Sequence, residues 1–208
     1  MNDAPISGVI LAGGLGRRMG NVDKGLQLLA DKPLVRWVIE RLAPQVDELL
    51  INANRNAAHY ANFGYPVIAD EIAGFAGPLA GVHAALSRSA HPLLLTVPCD
   101  SPFLPTDLVA RLRTAMLSSG ADLATVRSGG RAQPVFSLFR RELLPQLTDF
   151  LATGGRKIDL WHGMLERVEV PFDDQVDAFR NINDAAELSE LGRHHCRNFL
   201  HKTATSTE

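Results

Sequence analysis

A short apolar run, Ile6–Leu11, stops abruptly at Ala12-Gly13-Gly14. A run of this length that ends in glycine reads as a buried strand. The next residues narrow the choice of fold further. Between Leu11 and Lys24, fourteen residues hold four glycines, two arginines and one lysine. Glycines let a backbone approach a ligand closely and turn several N–H groups toward one point. Arginine and lysine supply the charge that phosphate requires. A tight turn with solvated arginines is the plainer alternative. The density of glycine and cations directly after a buried strand favours a phosphate site. Its spacing excludes two common ones. GxGxxG fails, because counting from Gly14 its third glycine falls on Met19, and GxxxxGK[ST] fails because Lys24 lies between Asp23 and Gly25.

The pattern of strand, punctuation and helix continues along the chain. Further strands are expected at Glu48–Ile51, Pro66–Ala69 and Leu93–Val97, ending at Asn52, Asp70 and Pro98-Cys99-Asp100. Pro33–Leu42 and Leu79–Leu86 have helical periodicity, and Thr106 is placed to cap a helix running to about Leu117. Beyond residue 120 the signal weakens. Strands are expected at Asp122–Val126 and Pro134–Phe139, a helix at Arg140–Ala152, an edge strand at Arg167–Val170 and a final helix at Asp184–Leu191. Apolar strands alternating with helices indicate an α/β fold: three layers, a mostly parallel sheet, and helices on both faces. Trp37 reads as core and His83 as packing. The stretch 193–208 loses periodicity and reads as a flexible tail, with its histidines and Cys196 solvated.

Composition removes whole classes of function. A chain of 208 residues with 46% hydrophobic and 21% charged residues has the make-up of one globular domain. Its net charge of -2 supplies no field for nucleic acid or an anionic membrane. No apolar run approaches the roughly 20 residues of a membrane-spanning helix. Met1–Pro5 lacks the basic and apolar regions of a secretory signal. Two distant cysteines, Cys99 and Cys196, form no CxxC pair, so neither zinc nor a disulfide framework is indicated. The expectation is a reduced, cytoplasmic, soluble domain.

The string LAGGLGRRMGNVDKG resembles the nucleotidyltransferase pattern LAGGxxxRMGxxDK. Four further segments strengthen the likeness: Asn52-Ala53-Asn54, Gly77-Pro78-Leu79-Ala80-Gly81, Pro98-Cys99-Asp100-Ser101-Pro102 and Asn181-Ile182-Asn183. Together they resemble the molybdenum cofactor guanylyltransferases over about residues 6–191. That resemblance implies a nucleotide-diphospho-sugar-transferase-like fold with ligands at the carboxyl ends of the strands. It implies transfer of GMP from GTP to the terminal phosphate of molybdopterin, with release of pyrophosphate.

On this reading residues 1–192 form the transferase domain. Its GTP half spans about 1–110 and its pterin-facing half about 120–191. Arg18, Lys24 and Asp100 are the catalytic candidates, with Asp100 as ligand to Mg²⁺, which clamps the leaving pyrophosphate. GTP is assigned to Leu11, Ala12, Gly13, Gly14, Gly16, Lys24, Asn52, Asp70 and Asp100, and Arg17 is a weaker candidate. Gly77, Gly81, Asn181 and Asn183 are assigned to the pterin. Simpler readings stand beside these: Asn52 as a turn former, Asp70 or Asn183 as a helix cap, Gly77 and Gly81 as ordinary architecture. Molybdenum-insertion proteins and target molybdoenzymes are candidate partners, and residues 120–175 are a candidate docking region for the latter.

Three rivals are open. A cytidylyltransferase on the same pterin, or a sugar-phosphate nucleotidyltransferase, would share the fold, although Gly14 in place of alanine leaves space for a purine. A nucleotide-binding regulator would not need Arg18, Lys24 and Asp100 together. A partner-binding scaffold could coexist with catalysis.

Overall fold

The computed structural model describes residues 4–14, 23–72 and 77–182. Gly16, Arg17, Arg18, Asn183, the expected last helix and the tail lie outside them. Seven strands form one sheet: β1 (Ile6–Leu11), β4 (Glu48–Asn52), β5 (Val67–Ile68), β6 (Leu93–Pro98), β7 (Leu123–Ser128), β8 (Arg131–Arg140) and β9 (Arg167–Pro171). A separate two-stranded hairpin joins β2 (Leu28–Leu29) to β3 (Lys32–Pro33). The helices are α1 (Leu34–Leu42), α2 (Ala57–Ala61), α3 (Pro78–Arg88), α4 (Leu108–Ser119), α5 (Leu144–Ala152) and α6 (Ile158–His162).

The order across the large sheet is β5-β4-β1-β6-β8-β7-β9. Four of its six pairings are parallel, and only the two made by β8 are antiparallel. Successive side chains of a strand face opposite ways, and the sheet uses both faces. Ile6, Ile10, Leu49, Ile51, Leu95 and Val97 pack with α1, Tyr60 of α2, and α4. Val9, Leu50 and Leu94 pack with α3, α5 and Trp161 of α6. The fold is therefore the three-layer α/β arrangement expected from the apolar strands.

Chain connectivity creates the place for a site. From β1 the chain crosses to β4 on one side, while β6 lies on the other side of β1. At such a reversal the loops leaving the strand ends diverge and open a crevice, where open α/β sheets bind their ligands. Register puts Leu11 beside both Asn52 and Pro98 at that edge.

Some expectations need correction. Thr106 does not cap α4; the residue before the helix is Asp107, without a side-chain capping bond, because the turn through Pro105 delays the first helical residue to Leu108. The expected helix from Arg140 divides into a 3-10 turn, Arg141–Leu143, and α5, with Pro145 in the first turn of the latter. Strand β8 is longer than expected and carries a bulge opposite Thr125 and Val126. Trp37 is only partly buried: its indole N–H donates to Leu29 O at 3.0 Å, and Lys32 Nζ sits 3.3 Å from its ring centre. His83 packs as expected, buried and 3.0 Å from Thr148 Oγ1.

Candidate active site

Beyond the end of β6, the turn Cys99-Asp100 brings a buried carboxylate to the carboxyl edge. Asp100 Oδ2 lies 3.1 Å from Lys24 Nζ, which arrives from a 3-10 turn, Lys24–Leu26, after the glycine segment. Their side chains are 13% and 26% exposed, so the pair is shielded from water yet reachable from the crevice. Two of the three catalytic candidates thus meet across 76 residues of chain. Burial, and then the negative charge of Asp100, pushes the Cys99 thiol well above its ordinary value. Neutral Cys99 is packing material, not a nucleophile.

Across β1, the end of β4 carries a second group. Asn52 is buried and donates from Nδ2 to Asp70 Oδ1 at 2.9 Å. Asn54 donates to the other carboxylate oxygen at 2.8 Å, and its own Oδ1 accepts from the Asp70 N–H at 2.8 Å. Asp70 is therefore a fixed acceptor. Two oxygens offer about four lone-pair sites, so acceptor capacity remains for a ligand.

The glycines at this edge do different things. A methyl group on Gly13 would meet Asn54 Nδ2 at 2.9 Å and Asn52 Oδ1 at 3.1 Å, and one on Gly81 would meet Asn52 Oδ1 at 2.4 Å and Leu11 Cδ2 at 2.9 Å. Both glycines let backbone close onto the Asn52 side chain, and Gly81 thereby sits beside the residues assigned to GTP. Gly14 is exposed, and a methyl group there would meet nothing within 4 Å. No packing within the described residues explains Gly14, which leaves its small size available to a ligand.

Gly77, the residue before α3, has φ +65° and ψ -153°, a region essentially restricted to glycine. It starts an eleven-residue helix whose first turns bring Gly81 against the Asn52 side chain, and a helix start at that edge is a favourable position for an anion. The carbonyl of Arg156 lies 4.0 Å from where a Gly77 methyl would be, so the exposed loop carrying Arg156 and Lys157 borders this helix start. No local sequence signal had singled out that basic loop.

Asn181 also reaches the edge. Ser101 Oγ donates to its Oδ1 at 2.6 Å, and the Ile182 N–H donates to the Asp100 carbonyl at 3.0 Å. Ile182 is buried with Leu29 and Leu34, which anchors the segment on the Asp100 turn.

Sequence reasoning also missed the supports of Lys24. Tyr60 Oη donates to Asp23 Oδ1 at 2.5 Å, and Asn56 Nδ2 donates to Asp23 Oδ2 at 3.0 Å. The glycine-rich motif includes Asp23, but nothing local pairs it with α2.

The assembled edge offers one basic group against a carboxylate, a bordering glycine segment, a fixed polar cluster and a helix start. It suits a polyphosphate. Among the described residues no group of three or more His, Cys, Asp or Glu side chains is placed to hold a metal. Comparison with known proteins agrees with this geometry. The family model described as the MobA-like NTP transferase domain matches residues 8–166. A molybdenum cofactor guanylyltransferase of Ralstonia nicotianae is 51% identical over 195 residues, covering 89% of this chain and 95% of that protein. Another, from Cupriavidus necator, is 52% identical over 197 residues, covering 92% and 97%. The crystal structure of molybdopterin-guanine dinucleotide biosynthesis protein A from Archaeoglobus fulgidus superposes with a TM-score of 0.76 at 24% identity, covering 92% of this chain and 99% of that one. A 4-diphosphocytidyl-2C-methyl-D-erythritol synthase from Anaerococcus prevotii shares the fold at a TM-score of 0.67 and 10% identity, covering 92% and 98%. With its strand-end motifs gathered at one edge and half its residues shared with such relatives, the chain belongs to the molybdenum cofactor guanylyltransferase family of MobA-like nucleotidyltransferases.

Proposed function

We propose that the protein transfers GMP from GTP to the terminal phosphate of molybdopterin, bare or molybdenum-loaded. The observation that carries this reading is the Lys24–Asp100 pair, which shares one strand-end crevice with the Asn52–Asp70–Asn54 cluster. A phosphate oxygen of the pterin attacks the α-phosphorus of GTP. The new P–O bond forms there as the bond from the α-phosphorus to the bridging oxygen breaks, and pyrophosphate leaves with the electron pair. The nucleophile is already anionic near neutral pH, so alignment and charge neutralisation are the main requirements.

Each residue then has a task. Lys24 neutralises charge on the departing phosphates. Backbone N–H groups of Gly13 and Gly14 line the triphosphate, with Leu11 and Ala12 forming the floor; Gly16 and Arg18, assigned to the same triphosphate, lie outside the described residues. Asn52 and Asp70 present fixed polar atoms to the nucleoside. The start of α3 at Gly77, with Gly81 behind it, faces the pterin phosphate. Asn181 and Asn183 serve the pterin, and Asn181→Ala should weaken molybdopterin binding about tenfold, the cost of a hydrogen bond or two. Weakened GTP binding instead would place Asn181 on the nucleotide.

Asp100 suits Mg²⁺: its carboxylate is a hard oxygen donor at the crevice, and Mg²⁺ commonly takes one or two carboxylates, with phosphates and water completing its shell. When bound, that ion would supply positive charge that offsets charge building on the phosphates. Asp100 would hold the ion, while Lys24, 3.1 Å from its carboxylate, would bring its own positive charge to the same phosphates. Among the described residues no helix is long and apolar enough to cross a membrane, which accords with the cytoplasmic setting we propose.

The deciding experiment supplies purified protein with molybdopterin and Mg²⁺, and with GTP, CTP, ATP or UTP in separate reactions. The expected result is a product heavier by GMP, formed from GTP far faster than any adduct from the other three nucleotides. A CMP adduct without a GMP adduct would transfer the assignment to a cytidylyltransferase.

A further inference from the structure

Gly25 occupies a gap with almost no slack. A methyl group there would lie 2.5 Å from Tyr60 Oη and 3.3 Å from Cys99 Sγ. So the residue after Lys24 is held between α2 on one side and the residue before Asp100 on the other. Tyr60 is fully buried, yet its hydroxyl finds a partner in Asp23, the residue preceding Lys24. Asn56 takes the other oxygen of Asp23 from a left-handed backbone conformation, φ +53°. Such a φ is uncommon outside glycine, although Asn tolerates it better than most residues. Asn56 and Tyr60 stand at the start and middle of one short element that continues directly from Asn52 and Asn54.

From this geometry we infer that Tyr60 is a positioning residue for the transfer reaction: through Asp23, and with Asn56, it fixes Lys24 against Asp100 and ties the phosphate side of the crevice to the β4 side. The proposal rests on the guanylyltransferase reading. Lys24 is a long, flexible side chain whose entropy opposes any single placement. An ion pair with a partly exposed lysine holds geometry only weakly. Fixing the backbone on both sides of Lys24 limits where its ammonium can go. Asp23 supplies the hold on one side and the Gly25 gap supplies it on the other. Tyr60 touches both, and the buried ring gives it a rigid base.

Tyr60→Phe removes only the hydroxyl and retains the ring. Expected is a fall in kcat of about 10–100-fold, the scale of a small misplacement of a reacting group, with the KM for GTP changing less than kcat. Asp23→Ala should show a similar fall. The double variant should be no worse than Asp23→Ala alone, because residues acting through one contact are not additive. Trypsin gives a readout that needs no activity: cleavage after Lys24 should accelerate at least several-fold in Tyr60→Phe at an unchanged melting midpoint. An unchanged kcat, losses that multiply in the double variant, or unchanged cleavage after Lys24 would each overturn the proposal. Absence of GMP transfer by the wild type would instead overturn the functional reading, and the trypsin arm would still judge the clamp.

Discussion

Two groups of buried polar side chains sit in this sheet and behave in opposite ways. At the carboxyl edge of β1, β4 and β6, Asn52 and Asp100 are buried but are braced by Asp70 and Lys24 beside a crevice. Toward the other side, three hydroxyls form a row across β6, β8 and β7. Thr96 Oγ1 donates to the Val135 carbonyl at 2.6 Å, and Ser137 Oγ lies 2.9 Å from both Thr125 Oγ1 and the Pro134 carbonyl. That row satisfies itself at the bulge. Nearby on α6, Trp161 Nε1 and His162 Nε2 are buried with no hydrogen-bond partner among the described residues. Burial of a polar group therefore does not by itself mark a functional site. What separates the two groups is position: one stands where strand ends open into loops, the other inside a closed layer.

This contrast can be broken by experiment. The largest effect should come from the edge. Asp100→Asn should lower turnover by about 10²–10³, the scale of losing one electrostatic partner of the transition state, while leaving the melting midpoint nearly unchanged. Steady-state rates with saturating Mg²⁺ test it, and near-normal turnover would remove Asp100 from the chemistry.

Next comes a pH effect on the far side. Burial, and then the charge of Arg167, lowers His162 from 6.5 to about 4. Its folded-state value lies below its unfolded one, so the unfolded chain takes up the proton first. Stability is full above about pH 6.5 and falls as pH drops toward 4, by at most about 3 kcal/mol at 1.36 kcal/mol per unit. Denaturant midpoints of the wild type and His162→Gln across that window measure it. Parallel curves for the two proteins would exclude His162 as the cause.

Ser137→Ala should cost about 1–3 kcal/mol, because it leaves buried hydroxyls short of partners, with kcat and KM unaltered. A loss of turnover beyond the loss of folded protein would make the hydroxyl row part of the site. The smallest effect is expected at Gly14, where a methyl group meets no protein atom. Gly14→Ala should leave stability unchanged and reduce kcat/KM for GTP about tenfold more than for CTP, the cost of one methyl group in a pocket. Equal losses with both nucleotides would limit the loop to shaping the phosphate site.

The legible half of the molecule is also the chemical half. Ile6–Leu11, Glu48–Asn52 and Leu93–Pro98 announced themselves because apolar strands ending in Gly, Asn or Pro-Cys-Asp are local patterns. Lys24 and Asp100 were identified from motif and strand-end position, and the structure brings them together. Past Gly120 the reading blurred. Strand β8 pairs antiparallel within a mostly parallel sheet and shifts register at its bulge, and no apolar pattern records a strand's direction. The five-residue helices α2 and α6 were missed as well, since a helix that short has too few turns to show a period.

Sequence alone determined which residue types stand at which strand ends, because buried strands and glycine turns arise from the side chains of a few adjacent residues. Tertiary structure decided their partners. Asn52 and Asp70 are 18 residues apart, Asp23 and Tyr60 37, and Ser101 and Asn181 80. Each of those contacts depends on strand order and on the crossovers between strands. A hydrogen bond needs its atoms about 3 Å apart, and only the closed fold sets distances that fine between segments so remote in the chain.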